Sequence, residues 1–240
     1  MENTFNWFDS RYAGICVNPA ATIRTVVDRD PRDKVISLVL VDSLIGPLWL
    51  LVRRHAMQTP LNLWIAGERL YITIPDSLWL IIWPLAALLL LYVNGALICW
   101  IGSRLGGTAK TAEVRAALAW PKVFHILTSP LVLLVGIEMS SPLHLLWVWM
   151  GWSVQPPSLL QTGFFSNLPA FWRWILPIAL GAPLWLWYLV ISVKCVAEVH
   201  RFSVWRGLGT WLLEYPVLLC VLIIVELLVN GFAAVAIRLF

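Results

Sequence analysis

The sequence predicts an all-α, polytopic membrane bundle of five spans, with short amphipathic helices at the cytoplasmic surface. Three observations lead to it. Sixty per cent of the 240 residues are hydrophobic and 12% are charged, about half the charge of an ordinary globular domain. That charge is clumped: 77–103 and 174–193 carry none, and a bilayer core needs ~20 apolar residues at ~1.5 Å rise each. Lys and Arg are also unevenly divided between the segments that would alternate across a membrane. The 17 basic and 13 acidic side chains are too few to shield five such apolar segments from water.

Residues 1–34 form a polar N-terminal segment. Asn18-Pro19 reads as a helix start with Pro at the first position. Ile23, Val26 and Val27 recur at helical spacing, so an amphipathic helix is expected at 19–29, ended by Asp30-Pro31. No small-residue cleavage pattern follows the first apolar run, so no cleaved signal peptide is expected.

The membrane domain is placed at 35–238. Its first span, about 34–52, is closed by Arg53-Arg54. Residues 55–76 read as a loop whose Leu61, Trp64 and Ile65 dip into the interface. The second span, about 77–102, holds Pro84, a kink, and Asn94-Gly95, a small polar helix contact. Gly106-Gly107-Thr108 makes a turn, and a helix runs from Thr111 through Trp120. The third span is about 121–138. Pro142, Pro156-Pro157 and Pro169 argue against one straight helix over 139–172, and 143–152 reads as interfacial or re-entrant. The fourth and fifth spans, about 173–194 and 211–236, are joined by a polar loop at 194–209.

Orientation follows from the basic residues. Arg11, Arg24, Arg29, Arg32 and Lys34 precede the first span. Arg104, Lys110, Arg115 and Lys122 follow the second, and Lys194, Arg201 and Arg206 follow the fourth. That places twelve on one side, against Arg53, Arg54, Arg69, Arg173 and Arg238 on the other. The N-terminus is therefore expected in the cytoplasm and the C-terminus outside. The net charge of +4 suits an anionic membrane surface and is too diffuse for nucleic acid.

Chemistry-bearing residues are sparse. Asp42 stands inside the first span, where a carboxylate is costly and by default functional. It would carry a cation or proton, hold a partner helix, or pair within the bundle with Arg, Asn or an amide freed by Pro47. Gly46-Pro47 reads as a tightly packed point or a hinge, packing being the preferred reading. Glu226 and Asn230, four apart in the last span, share a face. Glu138 and Glu214 fall near span ends. His55, His125, His144 and His200 lie on both sides of the membrane, and Cys16, Cys99, Cys195 and Cys220 are scattered, so no metal site is expected. No GxSxG, HExxH, P-loop or GxGxxG context is present, and neither an enzyme nor a cofactor is expected.

At these residues the chain resembles a known family. Leu44-Ile45-Gly46-Pro47-Leu48-Trp49 is similar to the Leu-Tyr-Gly-Pro-Leu-Trp element of the first span of the Yip-domain family. The 17–22 run Val-Asn-Pro-Ala-Ala-Thr resembles the opening of its bacterial-type members. Leu105-Gly106-Gly107-Thr108 with Ala119-Trp120-Pro121 resembles their cytoplasmic loop, and Val199-His200-Arg201-Phe202-Ser203 their fourth-span exit. The similarity covers about 12–235. Eukaryotic members carry an acidic residue directly before the Leu; here Ser43 stands there, and Asp42 is turned ~100° away on a helix.

The resemblance implies a five-span protein of a bacterial inner membrane, non-enzymatic, acting as a scaffold or adaptor for a membrane-protein partner or its own copies. A GTPase partner is not implied for this short N-terminal segment. The expected motif residues are Asp42, Leu44, Gly46, Pro47, Trp49, Asn94, Glu226 and Asn230. The expected cytoplasmic lipid or partner face holds Arg24, Arg29, Arg32, Lys34, Arg104, Lys110, Arg115, Arg201 and Arg206. A small transporter, channel or lipid-handling protein using Asp42 and Glu226 is the alternative.

Overall fold

A computed structural model describes residues 10–52, 61–65, 68–72, 76–135 and 170–220. The helices are α1 (Ser10–Val17), α2 (Pro19–Arg29), α3 (Val35–Val52), α4 (Asp76–Arg104), α5 (Thr111–Ala119), α6 (Lys122–Val135) and α7 (Ala170–His200). A further helix, α8, covers 204–220. Two strands, β1 (Leu61–Ile65) and β2 (Glu68–Ile72), pair antiparallel with Leu61 opposite Ile72.

α2 starts with Pro19 in its first turn, where the missing N–H forfeits no helix bond. It buries Pro19, Thr22, Ile23 and Val26, and it packs on α7. Its apolar stripe is therefore covered by protein. α1 was not expected, although Tyr12, Ile15 and Cys16 already have helical spacing. Ile15 is fully buried, and Tyr12 stacks on Trp120 with 5.7 Å between ring centroids.

The core lies at one end of the bundle. There α1, α2 and α5 cover the start of α3 (Val35, Leu38, Val39), the end of α4 (Ile98, Ile101), the start of α6 (Val123) and the end of α7 (Ile191, Cys195, Val196). Trp120, fully buried, links α5 to α6. Away from this cap the helices leave much apolar surface exposed. Ile81, Leu85 and Leu89 of α4 are 57%, 63% and 65% exposed, one continuous apolar stripe at i, i+4, i+8 spacing. A stripe of that kind on a long helix marks contact with lipid or a partner.

Among the described residues, Leu80–Arg104 and Gly181–His200 are long and apolar enough to cross a membrane; Val35–Leu48 is apolar but shorter. The third and fifth expected spans are described only as α6 and as 204–220 of α8. The expected re-entrant segment at 143–152 lies outside the described residues.

Two expectations are corrected. The 55–76 loop contains the β1–β2 hairpin: two runs rich in Leu, Ile, Trp and Tyr, two residues apart, have hairpin spacing. The polar 194–209 loop is mostly helix. α7 continues to His200, and only 201–203 separate it from α8. The charges at Lys194 and Glu198 obscure, in the sequence, the buried stripe of Cys195, Val196 and Val199 interleaved with them.

Candidate functional site

Asp42 lies on α3 seven residues after its first residue, Val35. Its side chain is 11% exposed. One carboxylate oxygen accepts from Lys122 Nζ at 2.5 Å and the other meets His125 Nδ1 at 2.5 Å. Lys122 and His125 are three apart at the start of α6 and so share a face. An ionised carboxylate only accepts, so Nδ1 carries the proton in this arrangement. Both oxygens are thus engaged from a second helix. The resulting clamp ties α3 to α6 where burial would otherwise make the carboxylate expensive.

The surroundings extend the cluster. The Tyr188 ring of α7 meets His125 edge-on, 6.5 Å between centroids. Tyr188 lies within electrostatic range of Lys122, Asp42 and the buried Glu214 of α8. Four helices therefore contribute polar groups to one region of the bundle. Ser43 donates to the carbonyl of Leu40 at 2.8 Å, and α3 stays helical through Pro47.

Asp42 was marked by the sequence, but its partners were not. In the sequence Lys122, beside Pro121, reads as the last cation of a loop, and His125 suggests no role beyond that of a metal ligand. The usable signal was the Lys-x-x-His pair at the mouth of an apolar helix. Among the described residues, no group of three His, Cys, Asp or Glu side chains gathers as a metal site.

Gly46 shows no close approach among the described residues. It is exposed, and a Cβ built on it meets no atom within 4 Å among the described residues. Pro47 is buried and Leu44 partly so. The close approaches occur elsewhere. A Cβ on Gly102 or Gly107 would overlap the imidazole of His200, and one on Gly207 would overlap Ala197. His200 is 1% exposed. It stacks on Phe202 at 5.0 Å, and its carbonyl accepts the Thr108 N–H at 3.3 Å. The glycine-rich turn after α4 thereby grips the end of α7. Asn94 has its buried Oδ1 without a partner among the described residues. Glu226, Asn230 and the side chain of Trp49 lie outside the described residues.

The expected basic face divides into engaged and open groups. Arg24 pairs with Glu198 at 2.9 Å, and Lys34 donates to the Tyr12 hydroxyl at 2.8 Å. Arg206 donates to the Leu105 carbonyl at 3.4 Å. Arg104 lies over Trp100 and Arg115 over Tyr92. Arg29, Arg32, Lys110 and Arg201 are exposed and form no ion pair among the described residues. Away from the spans, burial raises the Cys16 thiol above its ordinary range, which makes it a poor nucleophile. No protein-family model, curated protein or solved structure matches the chain.

Proposed function

We propose that the chain is a non-enzymatic integral membrane protein of the type its sequence resembles, a Yip-like scaffold or adaptor that organises other membrane components. A bacterial inner membrane with the N-terminus in the cytoplasm is the location this reading requires. One observation carries it: Asp42 is closed by Lys122 and His125. A carboxylate held at both oxygens by a neighbouring helix is engaged in joining the bundle, which supports a structural role over that of an open ion ligand. What remains available for work is the cap, where Arg29, Arg32, Lys110 and Arg201 point outward. Cations near a membrane surface contribute about 1 kcal/mol each toward anionic lipid. Photo-crosslinkers at Arg29, Lys110 and Arg201 in the native membrane are expected to capture a membrane protein or a second copy. Repeated recovery of neither would sink the adaptor reading.

A second reading rests on the polar groups shared by four helices. Asp42, Lys122, His125, Tyr188 and Glu214 form a series of titratable groups, as a proton-coupled transporter needs. Liposome flux that vanishes in Asp42→Asn would favour it; absence of any flux in the unmodified chain would remove it.

A further inference from the structure

We infer that the groove between α4 and α5 binds the headgroup phosphate of a membrane phospholipid, with Arg115 as its cation. This rests on the membrane reading above and names a ligand for one place in it.

Arg115 is held in position by three neighbours. Its Nε donates to the Thr111 carbonyl at 3.3 Å. Its guanidinium carbon lies 4.6 Å from the centre of the Tyr92 ring, a cation–π arrangement that leaves the charge intact. Its stem fills the space over Gly95, where a Cβ would overlap Arg115 Cγ. No carboxylate pairs with Arg115 among the described residues, and no acceptor there faces its Nη groups. A positioned fork of unmatched donors suits phosphate oxygens.

The space beside it has the matching size. Tyr92, Ala96, Thr111 and Arg115 line a groove of about 190 Å³. That is smaller than the ~300–1,000 Å³ of a pocket enclosing a whole small molecule. A headgroup fits, provided the rest of the ligand lies outside. Such a bed exists: Leu89, Leu85 and Ile81 run from Tyr92 along the bare face of α4.

The 29 residues of α4 extend about 43 Å at ~1.5 Å each, more than the ~30 Å of a hydrocarbon core. Arg115, on α5, lies against α4 at Tyr92 and Gly95, on the side of the apolar stripe nearer the cap. An apolar stripe alone would also accept a partner helix. A fixed, unpaired cation at its upper end selects an amphiphile with an anionic head.

The test uses the full chain, purified in detergent and examined by native mass spectrometry. The probes are phosphatidylglycerol, diacylglycerol and inorganic phosphate. The wild type is expected to retain phosphatidylglycerol and not diacylglycerol. Arg115→Ala should lower that retention about tenfold, the loss of roughly one charge-assisted contact. Arg115→Lys should keep part of it, and Arg24→Ala should keep all. Tyr92→Leu, which removes the ring under the guanidinium, should weaken retention with little change in melting temperature. Equal retention in wild type, Arg115→Ala and Tyr92→Leu would overturn the site. Full displacement of the lipid by equimolar inorganic phosphate would overturn its lipid identity. A chain found in the aqueous fraction without detergent would instead refute the membrane reading itself.

Discussion

Asp42 shows how one residue can be conspicuous in sequence while its role stays hidden. A carboxylate among Val, Leu and Ile announces itself, but Lys122 lies 80 residues away, and no local pattern records such a pairing. Removing one partner of a buried ion pair costs about 3–5 kcal/mol. Asp42→Ala should therefore lower thermal stability in detergent strongly, while Asp42→Leu combined with Lys122→Met should recover much of the loss. If the double variant is no better than the single one, the clamp is not the source of the effect. Two basic residues also occupy the left-handed region, Lys34 and Arg201, both at φ 57°. Arg201 follows α7, with the Phe202 N–H reaching the Ala197 carbonyl at 3.1 Å, the helix end where glycine is normal. A side chain there costs roughly 1–2 kcal/mol. Arg201→Gly should raise the melting temperature. Lys34→Gly should raise it less or lower it, because it forfeits the bond to Tyr12.

At the scale of elements, the legible parts were those bounded by local chemistry. Pro19 and Asp30-Pro31 delimit α2, and Gly106-Gly107 and Trp120-Pro121 delimit α5. The long uncharged run of α4 was legible for the same reason. What could not be read was which glycine is crowded, since crowding depends on the neighbour and not on the glycine. Gly46 sits in a memorable motif yet meets no close neighbour among the described residues, whereas Gly102 and Gly107 enclose His200. The contrast predicts opposite outcomes for the same substitution. Gly46→Ala should be neutral or stabilising by up to ~1 kcal/mol, through helix propensity. Gly102→Ala should cost about 1–3 kcal/mol by overpacking. His200→Ala should relieve that cost in a double-mutant cycle. Additivity of the Gly102 and His200 substitutions would mean that the two do not touch in solution.

For the whole molecule, the capped end orders the chain. The start of α3, the end of α4, the start of α6 and the end of α7 all contribute to the same core, so successive long helices leave the cap and return to it. Cysteines placed at Lys110 and Arg201 should then react with a membrane-impermeant maleimide from one side only, and from the same side. Labelling from opposite sides would break that arrangement. The clamp between α3 and α6 also bears on how the protein is made. At ~5–20 residues per second of synthesis, the 80 residues between Asp42 and Lys122 take about 4–16 s to emerge. Throughout that interval α3 carries a carboxylate whose counter-ions do not yet exist. If α3 is inserted as proposed above, the ribosome-bound intermediate must keep it near water, headgroups or the insertion machinery. Nascent chains halted just before Lys122 should leave α3 extractable from the bilayer, and chains extended past His125 should anchor it.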